Sequence, residues 1–331
     1  MATNPKGPKI VMIGGGTGSF TLLKELKNYA QDITALVTMA DDGGSTGQLR
    51  DEYGVLPPGD VRQCLVALSN STEQMRQLFN YRFGEGSFEG HSFGNLFLTA
   101  VEKMTDDFGQ AVTLAGKVLN ITGRVMPITL DNTHLVMLDD NQRMIGEYQI
   151  GQTKFKGKNR PDFMLEPHAW INPDAKQAIE DADMVVIAPG NFYGSLIPAV
   201  IVDGVPEALQ KTKAKVVQVI NLVTKPGQTD GWKVTDYVNE LERFVGVGVV
   251  DYALYNTEKP SKEMINQYAA DGEYPVGFKA SDLKKAHYRA IGKDLVSNEL
   301  PEVSKHDKLE RTLIRHDADA VARQLMRIYF S

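Results

Sequence analysis

The stretch IVMIGGGTGSFTLLKELK, residues 10–27, joins a short apolar run to a helical pattern through a glycine-rich turn. The apolar run predicts a buried strand that ends at Ile13, and the spacing after the turn predicts a helix that begins near Ser19. Glycines permit close approach of a ligand, and the free N–H groups of a helix N-terminus attract anions. We expect an anion-binding turn, with a plain packing turn as the alternative, formed by Gly14, Gly15, Gly16, Thr17 and Gly18.

The turn matches neither of the two common nucleotide-binding fingerprints. A G-x-G-x-x-G pattern that starts at Gly14 would end on Ser19, and one that starts at Gly16 would end on Thr21. A P-loop needs a lysine next to its last glycine, whereas the first lysine after this turn is Lys24. The sequence therefore disfavours an NAD-dependent oxidoreductase. It still contains the strand, glycine turn and helix that both motifs share.

The rest of the chain predicts a Rossmann-like, doubly wound α/β fold with a mainly parallel sheet. Apolar runs alternate with helical patterns, which is typical of a parallel sheet covered on both faces. We predict one domain over residues 1–331, with an antiparallel hairpin region at about 125–160 where HLVMLDDNQRMIGEYQI alternates around a turn. The predicted strands are Lys9–Ile13, Ile33–Met39, Met184–Ala188, Lys215–Val223 and Phe244–Leu254, and the predicted helices include Phe20–Asn28, Val61–Phe79, Asn95–Met104 and a C-terminal helix capped by aspartate.

Composition excludes several classes of protein. The 331 residues carry a formal net charge of -6, which argues against nucleic-acid binding because no basic excess is present. The single cysteine, Cys64, excludes an internal disulfide and a cysteine-based zinc site. The uncharged stretch Met184–Val202 contains two prolines and two glycines, so we expect no membrane span and a cytoplasmic protein.

A pair of aspartates follows the second predicted strand. Asp41 and Asp42 precede Gly43, Gly44 and Ser45, a pattern richer than a single ribose contact requires. Adjacent carboxylates beside a phosphate site suit Mg²⁺, which takes a few carboxylates together with phosphate oxygens. A turn capped by an aspartate is the simpler alternative.

Polar residues follow several further strands or begin helices. Asp60 is placed to cap a helix or to face a ligand, and His91 with Asn95 suits a ligand hydroxyl or phosphate at a helix start. The carboxyl ends of parallel strands meet at one edge of the sheet, so these side chains should converge there. The remaining candidates are Gly190, Asn191, Asn221 and Asn256.

As a set, these motifs resemble one family. The segments GGGTGS, ADDGGSTGQLR, PPGDVRQCLVAL, GHSFGN, APGNFYGSLIPAVIVDGV, TKPGQTDGW and YNTEKP are similar to those of the YvcK-type gluconeogenesis factors, within the CofD-like superfamily of 2-phospho-L-lactate transferases. The resemblance implies a regulator of cell shape and gluconeogenic growth that binds UDP-N-acetylglucosamine. The related transferases use Mg²⁺ to move a phospholactyl group onto a deazaflavin precursor.

The resemblance also assigns roles to the candidate residues. It implies that the Gly14–Gly18 turn holds a diphosphate and that Asp41 and Asp42 occupy the position of catalytic, metal-associated acids. It implies a nucleotide-sugar pocket completed by His91, Asn95, Gly190 and Asn191. A sensor that engages a protein partner and an active transferase both remain open, as does a homo-oligomer. An aromatic-rich segment, residues 79–93, would line an acceptor slot in a transferase, but we expect it to pack in the core.

Overall fold

The computed structural model describes residues 7–140, 142–157, 160–270, 272–297 and 315–331, and its centre is a seven-stranded parallel sheet. The strand order is β10-β9-β8-β7-β1-β2-β3. The doubly wound, mainly parallel α/β fold is thus confirmed. The strands of this sheet are β1 Lys9–Gly14, β2 Asp32–Val37, β3 Arg124–Pro127, β7 Met184–Ile187, β8 Lys215–Val219, β9 Tyr252–Asn256 and β10 Arg289–Lys293.

Helices cover both faces of the sheet because alternate residues of its central strands point to opposite sides. In β1, Ile10 and Met12 join one core cluster, while Val11 and Ile13 join the other. The helices of the structure are α1 Gly16–Leu26, α2 Gly44–Tyr53, α3 Pro58–Leu68, α4 Glu73–Asn80, α5 Phe93–Thr105, α6 Phe108–Val118, α7 Glu147–Gln152, α8 Pro173–Glu180, α9 Ile197–Val200, α10 Val205–Lys211, α11 Val234–Val245, α12 Lys262–Ala270, α13 Ala280–Leu283 and α14 Ala318–Phe330.

A small antiparallel sheet lies on one of these faces. Its strands are β4 His134–Asp139, β5 Gln142–Ile145 and β6 Asp162–Glu166, in the order β5-β4-β6. The predicted hairpin is confirmed, although Asn141 of its turn lies outside the described residues. Leu135, Met137 and Phe163 join the core cluster that also contains Val11 and Ile13, so this sheet packs beside the second face.

The direction of winding reverses at β1. The chain adds β2 and β3 on one side of β1 and later adds β7 to β10 on its other side. Leu22 and Leu23 of α1 pack on the first face, whereas Ile197 of α9, which follows β7, packs on the second. Open α/β sheets bind ligands between the loops that follow two such neighbouring strands. We call the position between the loops that follow β1 and β7 the crevice.

Several predicted boundaries were wrong. Residues 124–127 form β3 of the parallel sheet rather than part of the antiparallel excursion, and β10 was not predicted. The predicted helix Val61–Phe79 is two helices, α3 and α4, separated at Ser69. The predicted strand Phe244–Leu254 starts too early, because Phe244 belongs to α11 and the strand begins at Tyr252. The aspartate cap of the last helix is confirmed, since Asp317 accepts a hydrogen bond from the Ala320 N–H.

The uncharged stretch Met184–Val202 contains β7, a π-helical turn at Phe192–Leu196 and α9. Within the described ranges, no helix has the length and apolar character needed to cross a membrane.

Replacement of Gly18 by alanine should destabilise the fold. A methyl group at Gly18 would overlap the carbonyl of Pro189, which is backbone and cannot move aside. Alanine usually stabilises a helix relative to glycine, but we expect this overlap to lower the free energy of unfolding by about 1–3 kcal/mol in urea titrations. Gly84→Ala is the control, because no heavy atom lies within 4 Å of its added methyl group. A Gly18→Ala protein at least as stable as wild type would contradict this packing.

Candidate functional site

The glycine turn lies at the crevice, and packing accounts for three of its glycines. A side chain at Gly14 would press on Ser19 and Ala188, one at Gly15 would overlap Asp60, and one at Gly18 would overlap Pro189. Helix α1 begins at Gly16, three residues earlier than predicted, and the N-cap residue Gly15 has no side chain to cap it.

Gly16 differs from these three glycines. Its φ of 67° lies in the left-handed region that favours glycine. An added methyl group there would face open space, with Ser195 Oγ at 3.9 Å as its nearest neighbour. Thr17, the next residue, is exposed. The turn therefore leaves an accessible N-terminus of α1 on the crevice, and Ser195 is a hydroxyl at this position that the sequence did not single out.

Asp60 is not a helix cap. Helix α3 starts at Pro58 after the N-cap residue Pro57, which puts Asp60 at the third helical position. Its carboxylate is buried, with 8% of the residue exposed, and accepts a hydrogen bond from the Gly16 N–H. Burial, together with the charges of Asp41 and Glu147, raises the pKa of Asp60 to about 8. The capping alternative was therefore wrong, and Asp60 lies beneath the glycine turn.

The acidic loop is held by hydrogen bonds on several sides. One carboxylate oxygen of Asp41 accepts from the Gly43 N–H at 3.0 Å, and Asp42 accepts from the Tyr148 N–H at 2.8 Å. Arg50 donates to the Asp41 carbonyl at 3.1 Å, and burial raises the pKa of the Asp41 carboxyl. Gly43 precedes α2 without a side-chain cap, while Gly44 has a φ of 45° and Ser45 lies in the first turn.

Glu147 is a site residue that the sequence analysis missed. It begins α7, directly after the antiparallel strand β5, and Asn191 donates to its Oε1 at 3.2 Å. Burial and the charges of Asp41 and Asp42 raise the pKa of Glu147 to about 7. The only local signal was Gly146, whose φ of 104° turns the chain toward Asp42.

A chain of hydrogen bonds joins the acidic loop to α5. Ser45 Oγ lies 2.9 Å from His91 Nδ1, and Asn95 Nδ2 donates to the same hydroxyl at 3.4 Å. Arg62 donates to Asn95 Oδ1 at 3.0 Å and also bonds Asn80. The structure thus brings His91 and Asn95 together with Ser45, as expected for residues of one edge.

The other strand ends divide into two groups. Asn221 holds the loop after β7, because its amide donates to the Gly190 carbonyl at 2.7 Å and accepts from the Gly190 N–H at 3.4 Å. Asn191 caps the π-helical turn by accepting from the Gly194 N–H at 3.2 Å. Asn256 lies apart and its amide bonds the backbone of Glu258 and Leu295. Gly190 and Asn191 therefore lie with the other candidate residues at the carboxyl edge of the sheet. Asn256 instead has a structural role.

Comparisons with known proteins agree with this architecture. A family model described as 2-phospho-L-lactate transferase CofD matches residues 10–296. A Thermotoga maritima protein, provisionally named a gluconeogenesis factor, is 43% identical over 278 residues, which are 83% of this chain and 87% of that protein. The gluconeogenesis factor of Bacillus subtilis is 36% identical over 323 residues, covering 96% of this chain and 97% of the relative. A crystal structure of a UPF0052 family member from Bacillus halodurans superposes with a TM-score of 0.89 at 35% identity, covering 98% of this chain and 100% of that one.

The buried acid should make stability depend on pH. Because the pKa of Asp60 is raised, the folded protein holds a proton that the unfolded chain releases above about pH 4. Stability should therefore fall as the pH rises from 5.5 toward 8.5, and Asp60→Asn should make the decline shallower by up to about 1.4 kcal/mol per pH unit. Urea titrations across this range measure the slope, with the exposed Glu52→Gln as control. Equal slopes in wild type and Asp60→Asn would refute the buried-acid interpretation.

Proposed function

The chain belongs to the CofD family, and from this membership and the geometry of its crevice we propose that it is a cytoplasmic nucleotide-sugar-binding regulator. Its ligand under this proposal is UDP-N-acetylglucosamine or a related nucleotide-sugar. Its biological role is the control of cell shape and of growth on gluconeogenic carbon sources, through a protein partner that engages the occupied state. The names of its relatives as gluconeogenesis factors support the part of this role that concerns gluconeogenic growth, and the family resemblance suggests the part that concerns cell shape.

The open position at Gly16 is the observation that carries the binding proposal. It lies at the reversal of winding beside β1 and β7, with the N-terminus of α1 on one side and Ser195 on the other. Amide N–H groups at a helix N-terminus and a hydroxyl donor suit the oxygens of a diphosphate. The acidic loop and His91 extend the same edge toward β2, where they would contact the remainder of the ligand.

Mg²⁺ fits this site only together with a ligand. Asp41 and Asp42 supply the hard oxygen donors that Mg²⁺ prefers, and their mutual repulsion would be relieved by a cation. Over the described part of the chain, no group of three histidine, cysteine, aspartate or glutamate side chains is arranged to hold a metal ion. Asp41 and Asp42 would therefore share the ion with phosphate oxygens and water, and the ion would neutralise charge on the phosphates.

A phospholactyl transferase is the second candidate, and the acids favour it. Carboxyls with pKa values near neutrality, such as those of Asp60 and Glu147, are suited to proton transfer. The expected aromatic core accounts for only part of the segment at residues 79–93. Phe79 is buried against Phe93, whereas Tyr81 and Phe88 are about half exposed and each lies against the ring of Phe83. These exposed rings offer a surface for a flat acceptor. An experiment is therefore needed to distinguish the regulator from the transferase.

Substitution of Gly16 tests the binding proposal. A methyl group in Gly16→Ala would occupy the open space of the crevice, and we expect the affinity for UDP-N-acetylglucosamine to fall by about tenfold or more in calorimetry. The control is Gly54→Ala at the end of α2, because Gly54 has nearly the same φ, 66°, and also faces open space. Gly54→Ala should introduce the same backbone strain as Gly16→Ala without a change in the affinity for UDP-N-acetylglucosamine. Equal affinities in both variants and in wild type would reject a ligand at Gly16.

Turnover separates the regulator from the transferase. We expect the protein to bind the nucleotide-sugar with Mg²⁺ without releasing free nucleotide, and to show no transfer from a guanylyl-phospholactate donor to a deazaflavin. Chromatography of the incubated mixtures measures both reactions. Release at catalytic rates in wild type that is lost in Asp42→Asn, but retained in the exposed Asp51→Asn, would overturn the regulator and favour the transferase.

A further inference from the structure

Lys225 differs from other partly buried lysines of the molecule. It follows β8 in the loop Thr224–Thr229, and burial lowers the pKa of its ammonium. Within the described ranges its Nζ makes no hydrogen bond and no ion pair within 4.0 Å. By contrast, Lys27 donates to the Ser69 carbonyl, and Lys215 donates to three carbonyls at the end of α14. Partial burial of an ammonium without a hydrogen-bond acceptor costs free energy, and a ligand that supplies the acceptor would remove this cost.

The ammonium points to a space that two other site residues share. A methyl group added to Gly151 of α7 would lie 3.8 Å from Lys225 Nζ, 3.7 Å from Asn191 Nδ2 and 3.9 Å from Glu147 Oε1. These are ordinary contact distances, so the three polar groups surround a position that the protein leaves unfilled. Asn191 donates one of its two amide N–H groups to Glu147. The negative charges of Glu147 and Glu273 attract the ammonium of Lys225.

The loop that carries Lys225 is fixed to α7. Gln228 donates to the carbonyls of Ile150 and Thr153, at 2.9 and 3.0 Å, and the Phe155 N–H donates to the Gly227 carbonyl at 2.8 Å. The Lys225 N–H in turn donates to Thr229 Oγ1 at 2.7 Å. The backbone of this loop is therefore fixed against α7, the helix that begins with Glu147.

The two arginines nearest the acidic loop already have protein partners. Arg50 bonds Asp41, Asn132 and Thr133, and Arg62 bonds Asn95 and Asn80. Lys225 lies on the other side of the crevice, one strand beyond Asn191, at a spacing of about 4.8 Å between strands. A ligand that begins at Gly16 and extends past Asn191 would reach it.

We propose that Lys225 and Asn191 form a subsite for the sugar-side phosphate, so that the protein binds a nucleoside diphosphate more tightly than a nucleoside monophosphate. This inference rests on the proposed function. The ammonium supplies charge and hydrogen-bond donors, and the second N–H of Asn191 supplies another donor to the same phosphate oxygens. The Gly16 crevice would hold the other phosphate, and Glu147 would orient Asn191.

Calorimetry of the full chain with UDP-N-acetylglucosamine, UDP, UMP and inorganic pyrophosphate tests this subsite. Lys225→Gln should weaken binding of the three diphosphates by about tenfold or more, which is the effect of one charge-assisted contact, while UMP binding stays within about twofold of wild type. Gly151→Leu, which fills the shared space, should have the same selective effect, whereas the exposed Lys24→Gln should bind like wild type.

The outcomes separate the subsite from the proposed function. Unchanged diphosphate binding in Lys225→Gln, or an equal loss for UMP, would overturn the subsite and leave nucleotide-sugar binding standing. Binding of pyrophosphate that depends on Lys225, without binding of UDP-N-acetylglucosamine, would support the subsite and reject the proposed function. A wild-type protein that binds none of the four compounds would reject both.

Discussion

The reversal of winding at β1 is the constraint on which the rest of the site depends. The chain leaves β1 toward one face and leaves β7 toward the other, and the loops after two such neighbouring strands are where open α/β sheets bind ligands. Close packing of Gly18 against Pro189 fixes the two loops together at the base. Gly16 lies two residues before Gly18, and a methyl group added to it would face open space. The topology therefore gives Gly16 its open position at the carboxyl edge of the sheet, independently of any fingerprint in the turn.

Charge is distributed unevenly around this crevice. Asp41, Asp42, Asp60 and Glu147 repel one another in partly dehydrated surroundings, which raises the pKa values of Asp41, Asp60 and Glu147. Arg50 and Arg62 partly offset the charges of Asp41 and Asp60, while the ammonium of Lys225 has no hydrogen-bond partner in the described structure. A proton, a metal ion or a ligand with its own cation would relieve the acids, and a phosphate would satisfy Lys225. The acids therefore crowd the part of the sheet edge where the family resemblance places binding and catalysis.

Local sequence was sufficient for the central strands, because β-branched runs buried on both faces have no polar alternation to obscure them. Local sequence was not sufficient for β3 and β10, which are the edge strands of the sheet and each begin with an exposed arginine. The turn residues Gly14–Gly18 and Asp41–Ser45 were found from their position after strands. Glu147, Ser195 and Lys225 were not, because Glu147 begins α7 after the antiparallel strand β5 and Lys225 lies in a loop that packs against α7. Such residues acquire their place only through tertiary contacts, and a single sequence has no periodicity that reports them.

A crystal structure of the full chain with UDP-N-acetylglucosamine tests the central claim most directly. The account predicts that the diphosphate lies between Gly16 and Asn191, with hydrogen bonds from the first amides of α1 and with the sugar-side phosphate against Lys225. Density for the diphosphate at the opposite, amino edge of the sheet, or bound without contact to the loops after β1 and β7, would contradict it.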